Sequence, residues 1–112
     1  MKYYHALYMS DKLIRKKTEI LEKIENDKWQ IDTYLIVLAK NENNHLEYFH
    51  SVLLLQKSIS KDDLLIVGIA NGEQGAMELV EKITQEVYDE TKGTDIRGFI
   101  LQKQKEFEEG NV

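Results

Sequence analysis

The residues with the clearest chemical potential form a glycine-containing turn that directly follows an apolar run. The stretch Val67–Gly75 reads VGIANGEQG. A buried strand that passes through such a turn into a helix places backbone N–H groups where they can bind an anion. We therefore predict a small-ligand or nucleotide-binding site at the strand-turn-helix of residues 68–75, with Asn71, Gly72 and Gly75 as its ligand-binding residues.

The same turn departs from two common nucleotide-binding motifs. Ala70 stands where the dinucleotide fingerprint needs its first glycine, and no second strand ending in an acid follows. The turn also lacks the Gly-Lys-Ser or Gly-Lys-Thr of a phosphate-binding loop. We therefore predict no cofactor. The alternative interpretation is structural: Gly68 lets a helix pack on the strand, and Gly72 and Gly75 permit a sharp turn.

A His-x-Glu-x-x-His string, made by His45, Glu47 and His50, is the closest approach to a metal-binding pattern. Metal ligands must converge, and a separation of five residues puts two side chains about 140° apart on a helix, or on opposite faces of a strand. Zinc proteases use a separation of four. We predict no metal site here, and His5 is isolated in the sequence.

Groups for catalysis are sparse in the sequence. There is no cysteine, and no serine lies in a Gly-x-Ser-x-Gly elbow. The paired acids are expected to be solvated in turns, on helix surfaces or in the C-terminal tail: Asp62-Asp63, Glu86 with Glu90, and Glu108-Glu109. We predict no catalytic residues and favour a protein that is not an enzyme, although an enzyme that uses scattered acids and a histidine stays open.

The strands that must position these residues are indicated by two apolar runs, Tyr34–Ala39 and Leu64–Ala70. Their length and continuity predict two inner strands that lie side by side, buried on both faces. Residues 3–9 are interpreted as a strand, with an early helical turn as the alternative. Residues 45–55 are ambiguous: they form either a helix or a strand through Phe49 followed by a short helix.

Three helices are predicted from apolar residues at helical spacing. The first begins at Asp11 after a Ser10 N-cap and ends near Asn26-Asp27. The second has its apolar stripe at Ala76, Leu79, Val80, Ile83 and Val87, a capping box of Asn71 with Gln74, and Gly93 as its C′ residue. The third is capped by Thr94 or Asp95, and its C-terminal end should fray.

These elements predict an α/β (or α+β) fold: a two-layer, single domain over residues 1–112 with a small central sheet of 3–4 strands flanked by helices. Two strands alone do not make an independently stable sheet. Either residues 2–9 and 45–50 supply the missing strands, or a second copy of the chain completes the sheet. The second option, together with six tyrosines suited to interfaces, leads us to expect a homodimer.

Composition excludes several classes of function for this chain of 112 residues. Its net charge of −5 and a single basic cluster, Arg15-Lys16-Lys17, argue against nucleic acid as a partner. No apolar run approaches the roughly 20 residues needed to span a bilayer, and the N-terminus does not read as a secretory signal. The absence of cysteine fits a cytoplasmic protein.

Two functions are therefore expected. The first is a non-catalytic protein-interaction or regulatory module that acts as a homo-oligomer, with itself or another protein as partner. The alternative is a binding domain for a small anionic ligand.

Overall fold

The computed structural model describes residues 1–38, 45–56, 61 and 64–110. Its strands form one mixed sheet in the order β1-β4-β2-β3, with β1 at Lys2–Met9, β2 at Thr33–Leu38, β3 at Leu46–His50 and β4 at Leu65–Asn71. Strands β1 and β4 are parallel, whereas β2 runs antiparallel to both β4 and β3. The helices are a first 3₁₀ segment at Asp11–Lys16, α1 at Lys17–Glu25, a second 3₁₀ segment at Ser51–Leu55, α2 at Gly72–Thr91 and α3 at Ile96–Glu108.

The predicted α/β class, with a small central sheet flanked by helices, is confirmed. The two apolar runs became β2 and β4, which lie side by side in the middle of the sheet. Of the ambiguous segments, the N-terminal one forms strand β1, and residues 45–55 adopt the strand followed by a short helix. Ala39, the acid pair Asp62-Asp63 and the last two residues of the tail lie outside the described residues.

The sheet of the described residues has four strands, so it does not need a second copy to complete it. That reason for expecting a homodimer is removed. The homodimer itself stays a prediction, and it needs a different physical argument.

Helices cover both faces of the sheet, and the core is divided accordingly. On one face, α2 and α3 pack on Tyr4, Ile36, Val67 and Ala70 through Ala76, Leu79, Ile83, Val87, Ile96 and Ile100. On the other face, α1 packs through Ile20 and Ile24 on a cluster that includes Leu35, Val37, Ile66 and Ile69. Each fully buried aliphatic side chain of this kind contributes about 1.5–3 kcal/mol from removal of apolar surface from water.

The start of the first helix differs from its prediction. Residues 11–16 form a 3₁₀ segment, and the α-helix begins only at Lys17. Ser10 precedes the segment but makes no side-chain capping bond. Its hydroxyl oxygen instead accepts a hydrogen bond from the backbone N–H of Asn71, 3.1 Å away, because β4 ends next to it. A long-range contact has replaced the local cap.

The ends of α2 also differ from their prediction, whereas the start of α3 agrees. Asn71 occupies the N-cap position of α2 without a side-chain capping bond, so the capping box is wrong. At the other end the left-handed residue is Lys92, with φ of 59°, rather than Gly93. Asp95 caps α3 as predicted, since its carboxylate accepts from the Gly98 N–H at 2.9 Å.

Strand β4 contains a bulge at Val67 and Gly68. Ile36 of β2 lies opposite Gly68, and the next residue, Val37, lies opposite Ile66, so Val67 is an extra residue on β4. A Cβ atom at Gly68 would lie 3.1 Å from the Leu79 Cδ2 atom of α2 and 3.3 Å from the Tyr8 carbonyl oxygen of β1. The predicted role of Gly68, to let a helix pack on its strand, is confirmed.

Gly68→Ala is therefore expected to destabilise the protein by about 1–3 kcal/mol, because the added methyl group overpacks the contact of β4 with α2 and with the β1 backbone. Urea unfolding measures the change. The matched control is Gly93→Ala, where the nearest atom would be the Thr91 Oγ1 atom at an ordinary 3.6 Å. If both variants are as stable as the unmodified protein, the contact between β4 and α2 is looser than described.

Candidate functional site

The two parallel strands send their chains to opposite faces of the sheet. The chain that leaves β1 continues into α1, whose Ile20 and Ile24 pack on one face. The chain that leaves β4 enters α2, which packs on the other face. Since β1 and β4 are adjacent and parallel, their carboxyl ends lie side by side at the same end of the sheet. The two connections diverge from there to opposite faces, which makes this place a topological switch point. Open α/β sheets bind ligands in the crevice at such a point.

A groove of about 460 Å³ opens beside the carboxyl ends of β1 and β4, and we call it the switch-point groove. Its wall is formed by Met9, Ser10, Asp11 and Lys12 after β1 and by Asn71, Gln74, Gly75, Glu78, Leu79 and Lys82 after β4. The volume falls within the range of about 300–1,000 Å³ that is typical of small-molecule sites. Met9 and Leu79 are its apolar residues, and the remainder of the wall is largely polar.

Ser10 joins the two strand ends within the groove. Its N–H donates to the Ile69 carbonyl oxygen at 3.0 Å, and its hydroxyl oxygen accepts from the Asn71 N–H. A Cβ atom at Gly75 would lie 3.3 Å from the Ser10 Oγ atom. The lack of a side chain at position 75 therefore lets the first turn of α2 approach Ser10 closely.

The structure brings two of the three predicted ligand-binding residues to the groove. Asn71 and Gly75 are part of its wall, whereas Gly72 is not. Gly72 adopts a positive φ of 76°, and its N–H donates to the Asp32 carbonyl oxygen at 2.7 Å. Because that N–H is already bonded, Gly72 shapes the turn and does not present its amide to a ligand.

Sequence reasoning missed the remaining groove residues. Ser10, Asp11 and Lys12 belong to a distant part of the chain, and nothing local indicates that β1 ends beside β4. The groove residues on α2 do have a signal in the sequence, since Gln74, Glu78 and Lys82 are spaced four apart and therefore lie on one helix face. A polar stripe that begins inside the predicted binding turn could have pointed to them.

The groove wall contains two lysines and two acidic residues. The connection after β1 supplies Asp11 and Lys12, and the helix after β4 supplies Glu78 and Lys82. Lys12 and Lys82 form no ion pair with any residue that the structure describes. The Gln74 side-chain amide donates to the Glu78 carboxylate at 3.3 Å, which aligns the polar stripe of α2. The wall can therefore offer charge and hydrogen bonds of both signs to a polar molecule, and no histidine is among its residues.

The histidines of the His-x-Glu-x-x-His string are engaged separately. His45 Nδ1 accepts from the Arg97 backbone N–H at 3.2 Å. His50 Nδ1 accepts from the Val52 N–H at 3.0 Å, and its Nε2 atom lies 2.7 Å from the Ile31 carbonyl oxygen, to which it donates in the tautomer that this pairing requires. Within the described ranges, no group of three or more potential ligands is close enough to hold a metal ion.

Two tyrosines of β1, Tyr4 and Tyr8, lie on the face of the sheet that α2 covers. The rings of Tyr4 and Tyr8 are stacked with centroids 6.3 Å apart. Burial raises the pKa of the Tyr8 phenol above its ordinary value, and a hydrogen bond to Glu86 raises it further. Burial likewise raises the pKa of Tyr4, with the charges of Glu90 and Glu86 adding to the effect. These phenols stay protonated at neutral pH, so they can donate hydrogen bonds and do not act as bases.

Comparisons with protein-family models, curated proteins and solved structures gave no significant match. No helix in the described part of the chain has the length and apolar character required to cross a bilayer.

Gly72→Ala is expected to lower the free energy of unfolding by about 1–2 kcal/mol, because alanine is strained at positive φ. Apart from its two chain neighbours, no described residue has an atom within 4 Å of the Cβ position, so the loss would come from the backbone alone. Gly72→Asn should lose less, because asparagine tolerates this conformation. Chemical denaturation measures both.

The control for backbone strain is Gly110→Ala, which has a similar φ of 78° and an equally open Cβ position. It lies after the end of α3 and, unlike Gly72, does not join a strand to a helix among the described residues, so a smaller loss is expected. Equal losses for alanine and asparagine at position 72 would contradict this account of the turn.

Proposed function

We propose that the protein binds a small anionic metabolite in the switch-point groove. The observation that carries this proposal is the position of the groove, at the carboxyl ends of adjacent parallel strands whose connections leave to opposite faces. This is the ligand-binding alternative from the sequence analysis, with its residues revised: Asn71 and Gly75 are kept, Ser10, Lys12, Gln74 and Lys82 are added, and Gly72 becomes a structural residue.

The charges of the groove define the chemistry of the ligand. Lys12 from the first connection and Lys82 from the second have no partner among the described residues, and each can pair with a phosphate or carboxylate. Asp11 and Glu78 are acceptors in the same wall, suited to hydroxyl or amino groups. These features together favour a metabolite that has an anionic group at one end and hydroxyl or amino groups elsewhere.

The proposal is for binding and not for catalysis. The groove wall supplies two carboxylates and two ammonium groups but no histidine or thiol to act as an activated nucleophile or a base near neutral pH. A non-catalytic role and a cytoplasmic location remain parts of the proposal. The location is supported by the lack of cysteine in the chain.

A thermal-shift screen against phosphorylated and carboxylated metabolites tests the proposal. A ligand present at about ten times its Kd stabilises the folded state by about 1.4 kcal/mol. For a domain of this size, that raises the Tm by about 5 °C. Lys12→Gln and Lys82→Gln are each expected to reduce the shift, because each removes one positive charge from the groove.

Lys105→Gln on α3 is the matched control, since it removes the same charge from an exposed lysine that is not part of the groove wall. It should leave the shift unchanged. The proposal is contradicted if no metabolite raises the Tm, or if a ligand that does so loses no affinity in either groove variant.

A second candidate is the protein-interaction module that the sequence analysis favoured. Two neighbouring apolar side chains support it: Trp29 is 59% exposed and Ile31 is 67% exposed, in the connection between α1 and β2. Large exposed apolar side chains close together are typical of interaction surfaces. The more specific expectation, a homo-oligomer, rests on a separate structural observation at the edge strand β3.

A further inference from the structure

The two edges of the sheet differ in how they are protected. Strand β1 lies beside α3, where the Gln104 side-chain oxygen accepts a hydrogen bond from the His5 backbone N–H at 2.8 Å. Lys2 of the same strand pairs with Glu108 at 3.1 Å. Four residues of β1 between Tyr3 and Tyr8 lie opposite a single residue of β4, so the strand is also irregular. Lysine, irregular pairing and a covering helix are common ways to block an edge strand.

Strand β3, at the other edge, has neither lysine nor irregular pairing among the described residues, and the helix that contacts it, α2, packs on the face of the sheet. Its five residues pair with β2 in an unbroken antiparallel register, from Leu46 opposite Leu38 to His50 opposite Tyr34. The strand contains neither lysine nor proline. No described residue outside β2 forms a backbone hydrogen bond with it. Unpaired N–H and C=O groups on such an edge can pair with another strand.

An aromatic row follows this edge on one face of the sheet. Tyr34 of β2 contacts both aromatic residues that β3 presents on that face, with ring centroids 6.3 Å from Tyr48 and 5.2 Å from His50. Tyr48 remains 38% exposed. Tyrosine is enriched at protein interfaces because a large apolar ring and a polar tip occur together. The row ends at the edge of β3 to which no described strand is bonded, where a neighbouring strand would extend it.

We propose that β3 pairs antiparallel with β3 of a second copy, about a two-fold axis at Tyr48. In this register Leu46 faces His50 of the partner subunit, and Glu47 faces Phe49 of the partner subunit. Glu47, the acid of the strand, thus lies beside a phenyl ring and not directly opposite its own copy, which avoids like-charge repulsion. The strand is its own complement, as a two-fold interface requires. The result is a continuous sheet of eight strands.

This proposal is independent of ligand binding. The switch-point groove lies at the ends of β1 and β4, and β2 separates β4 from β3. Failure of one proposal therefore leaves the other in place.

The absence of cysteine makes a single introduced thiol a specific probe. A residue on the two-fold axis of an antiparallel pair faces its own copy at a Cα separation of about 4.5–5.5 Å. That lies within the range of about 4.4–6.8 Å in which disulfides form. Mild oxidation of Tyr48→Cys is therefore expected to give a disulfide-linked dimer, detected by intact mass and non-reducing electrophoresis. Tyr88→Cys on α2, at a site that is 47% exposed, is the control and should form no disulfide-linked dimer.

Analytical ultracentrifugation of the unmodified chain at micromolar concentration provides the second measurement. A dimer mass is expected, with loss of the dimer in Tyr48→Lys and its retention in Tyr88→Lys, while circular dichroism verifies that both variants are folded. A monomeric unmodified chain together with equal cross-linking of the two cysteine variants overturns the proposal and leaves a different partner strand for this edge. A dimer that persists in Tyr48→Lys also overturns it, because pairing then occurs elsewhere.

Discussion

Burial of β4 on both faces and both edges is the constraint on which the remaining structure depends. Ile66, Val67, Ile69 and Ala70 have no exposed area, and the strand pairs with β1 on one side and β2 on the other. A strand buried in this way needs helices above and below it. The helix that follows β1 and the helix that follows β4 are placed on opposite faces for this reason, and the switch-point groove results from their divergence.

Close packing around β4 depends on small residues at particular positions. The bulge brings Gly68 under Leu79 of α2 and next to the β1 backbone, where a methyl group would already be crowded. Further along, Gly75 lets α2 approach Ser10, whose backbone and hydroxyl groups join the ends of β1 and β4. The stability of the sheet and the shape of the groove therefore have a common origin in the same few contacts.

Much of the fold was predictable because its signals are local. The runs that became β2 and β4 are continuously apolar, and the stripe from Ala76 to Val87 has helical spacing that the burial of α2 reproduces. The candidate turn was found for the same reason, since its glycines directly follow a strand. Residues 45–55 could not be assigned because their apolar and polar residues fit both helical and strand spacing. Pairing with β2 makes Leu46–His50 a strand.

Apart from the left-handed Lys92 at the end of α2, the unpredicted features involve contacts between distant parts of the chain. The sequence predicts that Ser10 caps the first helix, but its hydroxyl oxygen instead accepts a hydrogen bond from Asn71 at the end of β4. The helix after Ser10 starts as a 3₁₀ segment. Gly72, predicted as a ligand-binding residue with a turn role as the alternative, has the positive φ of a turn residue, and its bond to Asp32 depends on the pairing of β2 with β4. The groove itself was only half predicted, because one wall follows β1, more than fifty residues earlier in the sequence.

Native-state hydrogen exchange tests the central role of β4 most directly. If β4 organises the fold, the amides of Ile66 to Ala70 that pair with β1 and β2 should exchange most slowly, with protection close to the global free energy of unfolding. Amides of the edge strand β3 should open at lower free energy. Exchange of the β4 amides at the rate of the β3 amides, well before global unfolding, would contradict the account.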